Sequence, residues 1–245
     1  MSVLEARGLR YAIGGRLLLT DFDLTVGPGE RVAVVGPSGS GKTSLLALLA
    51  GLAAPEAGQV LLDGVPVVPG QVPPGVATVL QGHGLVSLLT ATENIEITLF
   101  ATGTPPGEAG AVARAALASL GLAEHADQLA DELSGGQQQR VAVARALATS
   151  PAVLIADEPT AEQDSASREL VLSLMLELAD AGTLLAQRVD PSLRFPGGLP
   201  PEPPAPARSL VLATRDPEVA QRCDRVVDLA DLRPDRLGHT GLGAG

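Results

Sequence analysis

The chain has 245 residues, a formal net charge of −11, and 45% hydrophobic but only 2% aromatic residues. This length allows one α/β domain with an insertion or two small domains. The negative charge argues against a general nucleic-acid binder and against electrostatic docking onto anionic lipid headgroups. The single cysteine excludes an intramolecular disulfide framework and a cysteine-rich metal site, and it favours a cytoplasmic setting.

The N-terminal residues have no basic region followed by an apolar run, so we expect no signal peptide. No stretch of about 18 apolar residues occurs, so we expect no segment that spans a bilayer by itself.

Apolar strand patterns alternate with helical patterns along the chain. Residues 3–35 predict short strands separated by glycine turns at 14–15 and 27–29, and the last of these strands is the buried run 31–35. Further apolar runs predict strands at 76–80, 153–156, 210–213 and 225–229. Periodic segments predict helices at 43–50, 165–180 and 217–222. A helical block over 92–148, broken near 103–107 and 134–136, indicates an inserted subdomain. This alternation predicts an α/β fold with a mostly parallel sheet.

Two segments do not fit the alternation. Residues 188–208 hold seven prolines, a density that excludes helix and central strand and predicts an exposed polyproline-like loop. The glycine-rich residues 234–245 predict a flexible tail. The main domain is therefore expected to cover residues 1–233.

A phosphate-binding loop is predicted between the strand at 31–35 and the helix that follows it. The segment fits the pattern G-x-x-x-x-G-K-[ST] and reads Gly36-Pro37-Ser38-Gly39-Ser40-Gly41-Lys42-Thr43. Its glycines let backbone N–H groups form an anion nest, and the helix directs its positive end at the phosphates. Lys42, the only lysine of the chain, is expected to reach the β- and γ-phosphates, and the Thr43 hydroxyl to ligate Mg²⁺. Ser44, the next residue, belongs to the same predicted ATP site.

A second half of the nucleotide site is predicted at the end of the strand 153–156. Asp157 follows the apolar run directly, so its carboxylate is expected beside the phosphate loop at the carboxyl edge of the sheet. Asp157 is a candidate ligand of Mg²⁺, and Glu158 a candidate general base that polarises the attacking water.

The motif between these two halves identifies a family. Leu133-Ser134-Gly135-Gly136-Gln137 followed by Gln138-Gln139-Arg140 resembles the signature of ATP-binding-cassette (ABC) ATPases. Ser134 is expected to cap the helix that follows. The resemblance extends from about residue 3 to residue 230. It implies a P-loop NTPase fold with a RecA-like, mostly parallel core, an N-terminal antiparallel β-subdomain and an inserted helical subdomain.

The resemblance also implies an assembly. In the family the signature residues, represented by Ser134, Gly135, Gly136 and Gln137, bind the γ-phosphate of ATP held by a second subunit. Two ATP molecules are then enclosed in a head-to-tail dimer, which is either a homodimer or a heterodimer. The implied partners are membrane permease subunits on separate chains, which would hold the protein at the inner face of the cell membrane.

Three further positions follow the family pattern. Tyr11 lies where an aromatic residue stacks on adenine, and Gln81 matches the glutamine that contacts Mg²⁺ or the attacking water. The following stretch, 83–90, corresponds to the part that receives the permease. Asp164 matches the loop that touches the opposite subunit, although Gln163 replaces the leucine that usually precedes it.

One position departs from the family. Arg215 stands where most members have a switch histidine. Arginine can bond a phosphate but can accept neither a proton nor a hydrogen bond from water. The departure predicts intact ATP binding with slowed hydrolysis; alternatively Glu158 carries the chemistry and Arg215 is tolerated.

Three functions remain open at this level. The first is the ATPase subunit of a membrane transporter, and the segment from 92 to 140 favours the export or lipoprotein-release branch. The second is a non-transport ABC ATPase of translation or DNA repair, disfavoured by the single cassette and by the short spacing between Gln81 and Ser134. The third is a degenerate regulatory cassette that binds ATP with little turnover.

Overall fold

A computed structural model describes residues 2–161, 163–181 and 208–230 of the chain. All but the last residue of the predicted proline-rich segment, and the whole predicted tail, lie outside the described residues.

The first sheet is antiparallel and has four strands in the order β2-β1-β4-β5. A turn at Gly14 and Gly15, both with positive φ, joins its two long strands, and this conformation matches the twist of a two-residue hairpin. The four strands are β1 (Leu4–Ile13), β2 (Arg16–Val26), β4 (Ala57–Leu62) and β5 (Val65–Pro66). This sheet agrees with the expected N-terminal β-subdomain.

The second sheet is parallel and has five strands in the order β6-β7-β8-β3-β9. Every residue of its central strands β7 and β8 is buried, which explains their continuous apolar sequences. The five strands are β3 (Arg31–Val35), β6 (Val76–Val79), β7 (Val153–Asp157), β8 (Ser209–Ala213) and β9 (Arg225–Asp228). Because the strands are parallel, the loops that follow β3, β6, β7 and β8 lie at one edge of the sheet.

Six α-helices are described, and the three of the inserted block pack against one another. They are α1 (Lys42–Leu49), α2 (Ala91–Ala101), α3 (Pro106–Ser119), α4 (Gly135–Ala148), α5 (Ser165–Ala181) and α6 (Pro217–Gln221). Two 3₁₀ turns lie at Ala123–His125 and Ala130–Glu132. Among the described residues, no helix is both long and apolar enough to cross a membrane.

The two faces of the parallel sheet bury different cores. Leu154 and Leu212 point toward a cluster formed with α2 to α5, whereas Ile155 and Val211 point toward a cluster formed with α1 and the antiparallel sheet. The alternation of side chains along each strand produces this division. The parallel sheet is therefore the rigid middle layer that fixes the loops at its carboxyl edge.

Candidate nucleotide-binding site

A cavity of about 350 Å³ opens at the carboxyl edge of the parallel sheet. It joins segments that are far apart in sequence. Its lining comprises Ile13, Arg16, Leu18, Ser38, Gly39, Gly41, Lys42, Thr43, Ser44, Gln81, Glu158 and Arg215. The structure thus brings together residues of the phosphate loop, the glutamine after β6, the carboxylate after β7 and the arginine after β8.

The phosphate loop has a conformation that its glycines make accessible. Gly36 and Gly41 have φ angles of 145° and 105°, values that side chains disfavour. A Cβ atom on Gly36 would lie 2.7 Å from the Oγ of Ser40, so no other residue fits there without a local shift. Helix α1 begins directly after Gly41, and its first three residues, Lys42 to Ser44, line the cavity.

Lys42 is nearly enclosed, with only 5% of its surface exposed. Its Nζ donates to the carbonyl oxygens of Gly36 at 2.8 Å and Pro37 at 3.3 Å. The loop therefore closes around a slim ammonium group, a fit that a broad, planar guanidinium would not reproduce.

Ser40 carries a polar group without a partner. Its Oγ is buried and makes no hydrogen bond to any described residue. A buried hydroxyl without a partner is costly, and inside an anion-binding loop it fits a phosphate oxygen as its missing partner.

Thr43 and Asp157 supply a pair of oxygen ligands. The Oγ1 of Thr43 donates to Oδ2 of Asp157 at 2.6 Å, and Asp157 is 3% exposed. Burial raises the pKa of the Asp157 carboxyl, partly opposed by the hydrogen bond from Thr43, while the nearby Glu158 raises it further. Hydroxyl and carboxylate oxygens suit Mg²⁺. The described residues contain no cluster of three or more His, Cys, Asp or Glu for a metal, so Mg²⁺ would need further ligands from phosphate and water.

Glu158 has an unusual backbone and a close cationic neighbour. Its φ is +46°, in the left-handed region, and its N–H donates to the carbonyl oxygen of Ala213 at 3.0 Å. The Nε of Arg215 lies 2.7 Å from its Oε1. The side chain of Glu158 is 17% exposed and that of Arg215 58% exposed. The residue at the switch position thus holds the candidate general base.

Gln81 lines the cavity just after β6. The loop that follows Gln81 is held by an arginine of helix α4. Arg145 of α4 donates to the carbonyl oxygens of Gly84 at 2.6 Å and His83 at 2.9 Å. Burial lowers the pKa of the Arg145 guanidinium. Sequence reasoning missed Arg145, because nothing in its local pattern distinguishes it from a surface arginine of a helix.

The signature residues lie outside the cavity and form the start of α4. Ser134 caps this helix, since its Oγ accepts from the N–H of Gln137 at 3.3 Å while the Gln137 side chain accepts from the N–H of Ser134 at 2.8 Å. Gly135 and Gly136 form the first turn of the helix. The Nε2 of Gln137 also lies 3.0 Å from Nε2 of His125. The predicted cap at Ser134 is present.

Tyr11 and Asp164 are the two other predicted site residues, and both lie outside the lining of the cavity. Tyr11 is partly buried against the core and is not among the described residues that line the cavity, where Ile13, Arg16 and Leu18 lie instead. Asp164 caps α5 by accepting from the N–H groups of Ala166 and Ser167, and its hydrogen bonds with Ser167 lower the pKa of its carboxyl.

A model of the ABC transporter family matches residues 19–161 of the chain. The chain is 34% identical over 236 residues to the lipoprotein-releasing system ATP-binding protein LolD of Bacteroides fragilis, covering 94% of this chain and 98% of that protein. It is 36% identical over 252 residues to the macrolide export ATP-binding/permease protein MacB 1/2 of Paracoccus denitrificans, covering 98% of this chain but only 34% of that protein.

The chain is also similar to two solved structures of ATP-binding cassettes. The dimeric post-hydrolysis state of the ATP-binding cassette MJ0796 bound to ADP and Pi matches with a TM-score of 0.72 and 28% identity, over 92% of this chain and 93% of that one. A second dimeric structure of MJ0796, described as a bacterial ABC transporter cassette, matches with a TM-score of 0.70 and 29% identity.

Proposed function

The chain belongs to the ABC transporter family, and from this premise we propose that it is the ATP-binding and ATP-hydrolysing subunit that powers a membrane transporter. One observation carries the proposal: a single cavity combines the phosphate loop with Gln81 and Glu158. The unpartnered hydroxyl of Ser40 and the ligand pair formed by Thr43 and Asp157 support binding of a magnesium nucleotide there.

The polar groups in and beside the cavity divide the work of this mechanism. The N–H groups of the phosphate loop and the ammonium of Lys42 bind the phosphates of ATP. Thr43 and Asp157 would hold Mg²⁺, which would supply charge neutralisation on the phosphate oxygens. Glu158 accepts a proton from the attacking water, and Gln81 orients that water. Glu158, whose backbone is left-handed, is one of the residues that line the cavity.

We further propose that two copies of the cassette enclose the nucleotides. The signature residues Ser134 to Gln137 do not line the cavity of their own chain, so the open N–H groups of Gly135 and Gly136 are available to a phosphate held by another subunit. Dimeric cassettes among the matching structures support this arrangement. Both a homodimer and a heterodimer fit these observations.

The permease is proposed to be a separate chain that docks on the loop after Gln81. Val86 and Leu88 in this loop are 47% and 79% exposed, and Ile97 and Phe100 of α2 are exposed as well. Exposed apolar side chains that form a patch are typical of protein–protein contact sites. Docking there would place the protein at the inner face of the membrane. The names of the LolD and MacB relatives support a permease of the lipoprotein-release or export kind.

Arg215 is proposed to slow hydrolysis. Its ion pair with Glu158 occupies one of the two carboxylate oxygens that could accept the proton of water. The same pair supports a second candidate function, a regulatory cassette that binds ATP as a clamp with little turnover.

The decisive experiment is to measure ATP binding and steady-state hydrolysis on the purified chain, alone and with membranes that contain the permease. The transporter subunit is expected to bind ATP with magnesium, to hydrolyse it, and to lose hydrolysis in Glu158→Gln. Binding without turnover, under every condition, would favour the regulatory cassette. Absence of nucleotide binding would refute both functions.

A further inference from the structure

Arg16 differs from the other arginines of the described chain. Each of the others interacts with another group, in most cases with a carboxylate. Arg16 has no such partner within the same residues. Acidic residues outnumber basic ones by 28 to 17, so a shortage of carboxylates does not explain its isolation.

The position of Arg16 relates it to the nucleotide cavity. It is the first residue of β2, directly after the Gly14–Gly15 turn, and it lines the cavity beside Ile13. Its Nη1 lies 3.6 Å from the point that a Cβ atom on Gly39 would occupy. The guanidinium therefore lies against the phosphate loop.

The charges in the cavity leave Arg16 free for a ligand. The ammonium of Lys42 is bonded to two carbonyl oxygens, and Arg215 is paired with Glu158. Asp157 and Glu158 add negative charge near the place where phosphates would bind, and the whole chain carries −11. A polyphosphate approaching the site is thus repelled at long range and needs local positive charge.

We propose that Arg16 is a further nucleotide-binding residue, which contacts the phosphate chain of the bound nucleotide from the outer side of the phosphate loop. This inference rests on the proposed function of the same cavity. A guanidinium can donate two parallel N–H bonds to phosphate oxygens, which explains an arginine in this place.

The test compares three variants by isothermal titration with ATP, ADP and inorganic tripolyphosphate at low ionic strength. Arg16→Gln removes the charge, Arg16→Lys keeps it, and Arg10→Gln is the matched control because Arg10 is an exposed β1 arginine paired with Glu56. Thermal denaturation verifies that each variant is folded.

Arg16→Gln is expected to weaken the binding of both ATP and tripolyphosphate, each about five- to tenfold relative to the unmodified chain. This loss of affinity should become smaller as salt is added, because salt screens the charge of Arg16. Arg16→Lys is expected to keep most of the affinity, and Arg10→Gln all of it.

Equal affinities in Arg16→Gln and Arg10→Gln would overturn the inference. A loss for ATP without a loss for tripolyphosphate would overturn it too, because the side chain would then act on the nucleoside. If the unmodified chain binds neither ATP nor ADP, the proposed function fails, and the tripolyphosphate titration still decides the role of Arg16.

Discussion

Arg215 and Glu158 are joined by an ion pair in which Nε of the arginine lies 2.7 Å from Oε1 of the glutamate. The two residues follow neighbouring parallel strands, β8 and β7, so the sheet itself brings them together. Arginine at position 215 therefore has two effects: the site lacks a histidine there, and the arginine binds the Glu158 carboxylate that is proposed to act on water.

Replacing Arg215 by histidine is expected to raise steady-state ATP hydrolysis about tenfold. The imidazole can accept a hydrogen bond from water and releases the Glu158 carboxylate, and a tenfold change corresponds to about 1.4 kcal/mol in the barrier. Arg222→His is the matched control, because Arg222 pairs with the exposed Glu169 away from the cavity. A rate in Arg215→His no higher than that of the control would contradict the proposed inhibition.

Lys42→Arg is expected to weaken ATP binding by at least about tenfold although the charge is kept. The ammonium is enclosed by the loop and bonded to two of its carbonyl oxygens, and a guanidinium is too broad for that space. Equilibrium titration with ATP measures the effect, with Lys42→Ala as the reference for loss of the group. Affinity equal to that of the unmodified chain would show that charge alone matters.

Asp157→Asn is expected to stabilise the nucleotide-free chain by about 0.5–1 kcal/mol and to abolish magnesium-dependent hydrolysis. Burial raises the folded-state pKa of the Asp157 carboxyl above its unfolded value. The protonated carboxyl therefore contributes stability at low pH, and this stability is lost as the pH rises through the folded pKa and the buried group becomes charged. The advantage of the asparagine variant should therefore shrink as the pH is lowered toward and below the unfolded pKa.

Denaturant unfolding at several pH values measures this advantage. Asp131→Asn, which changes an exposed carboxylate, is the control. An Asp157→Asn variant less stable than the unmodified chain at neutral pH would show that the hydrogen bond with Thr43 outweighs the cost of burial.

Ser134→Ala is expected to lower the free energy of unfolding by about 1 kcal/mol and to prevent ATP-driven dimerisation. Thr90→Ala is a close control, because Thr90 caps α2 with a capping box of the same kind, formed with Glu93. Light scattering in a Glu158→Gln background, where hydrolysis is blocked, measures the dimer. Equal dimerisation of the Ser134→Ala and Thr90→Ala variants would show that Ser134 acts only as a helix cap.

The sequence predicted the parallel sheet well and the antiparallel sheet only in part. The strands of the parallel sheet begin or end within about one residue of their predicted limits, because each is a buried apolar run bounded by turns. β4 and β5 were not predicted. The segment Ala57–Leu62 has no clean alternation, and its strand conformation depends on pairing with β1.

In the candidate site, too, residues with a local sequence pattern could be predicted and residues placed by tertiary contacts could not. The phosphate loop, Asp157 and Glu158 carry local patterns, so the sequence alone is enough to predict their place. The contacts of Arg145 with His83 and Gly84 join residues about sixty positions apart, and the approach of Arg16 to the phosphate loop depends on how two sheets meet. Such contacts are products of tertiary folding and leave no local pattern.

Helix α4 begins at the signature cap and, through Arg145 near its other end, holds the loop proposed to meet the permease. Its 14 residues form a rod about 21 Å long. Arg145 lies about 17 Å along the helix from Ser134, so a tilt of about 10° around Arg145 would displace the Ser134 end by about 3 Å, which exceeds the tolerance of a hydrogen bond. A small rotation imposed at the proposed permease contact would thus be enough to make or break the proposed contact of Ser134 with the nucleotide of a neighbouring subunit.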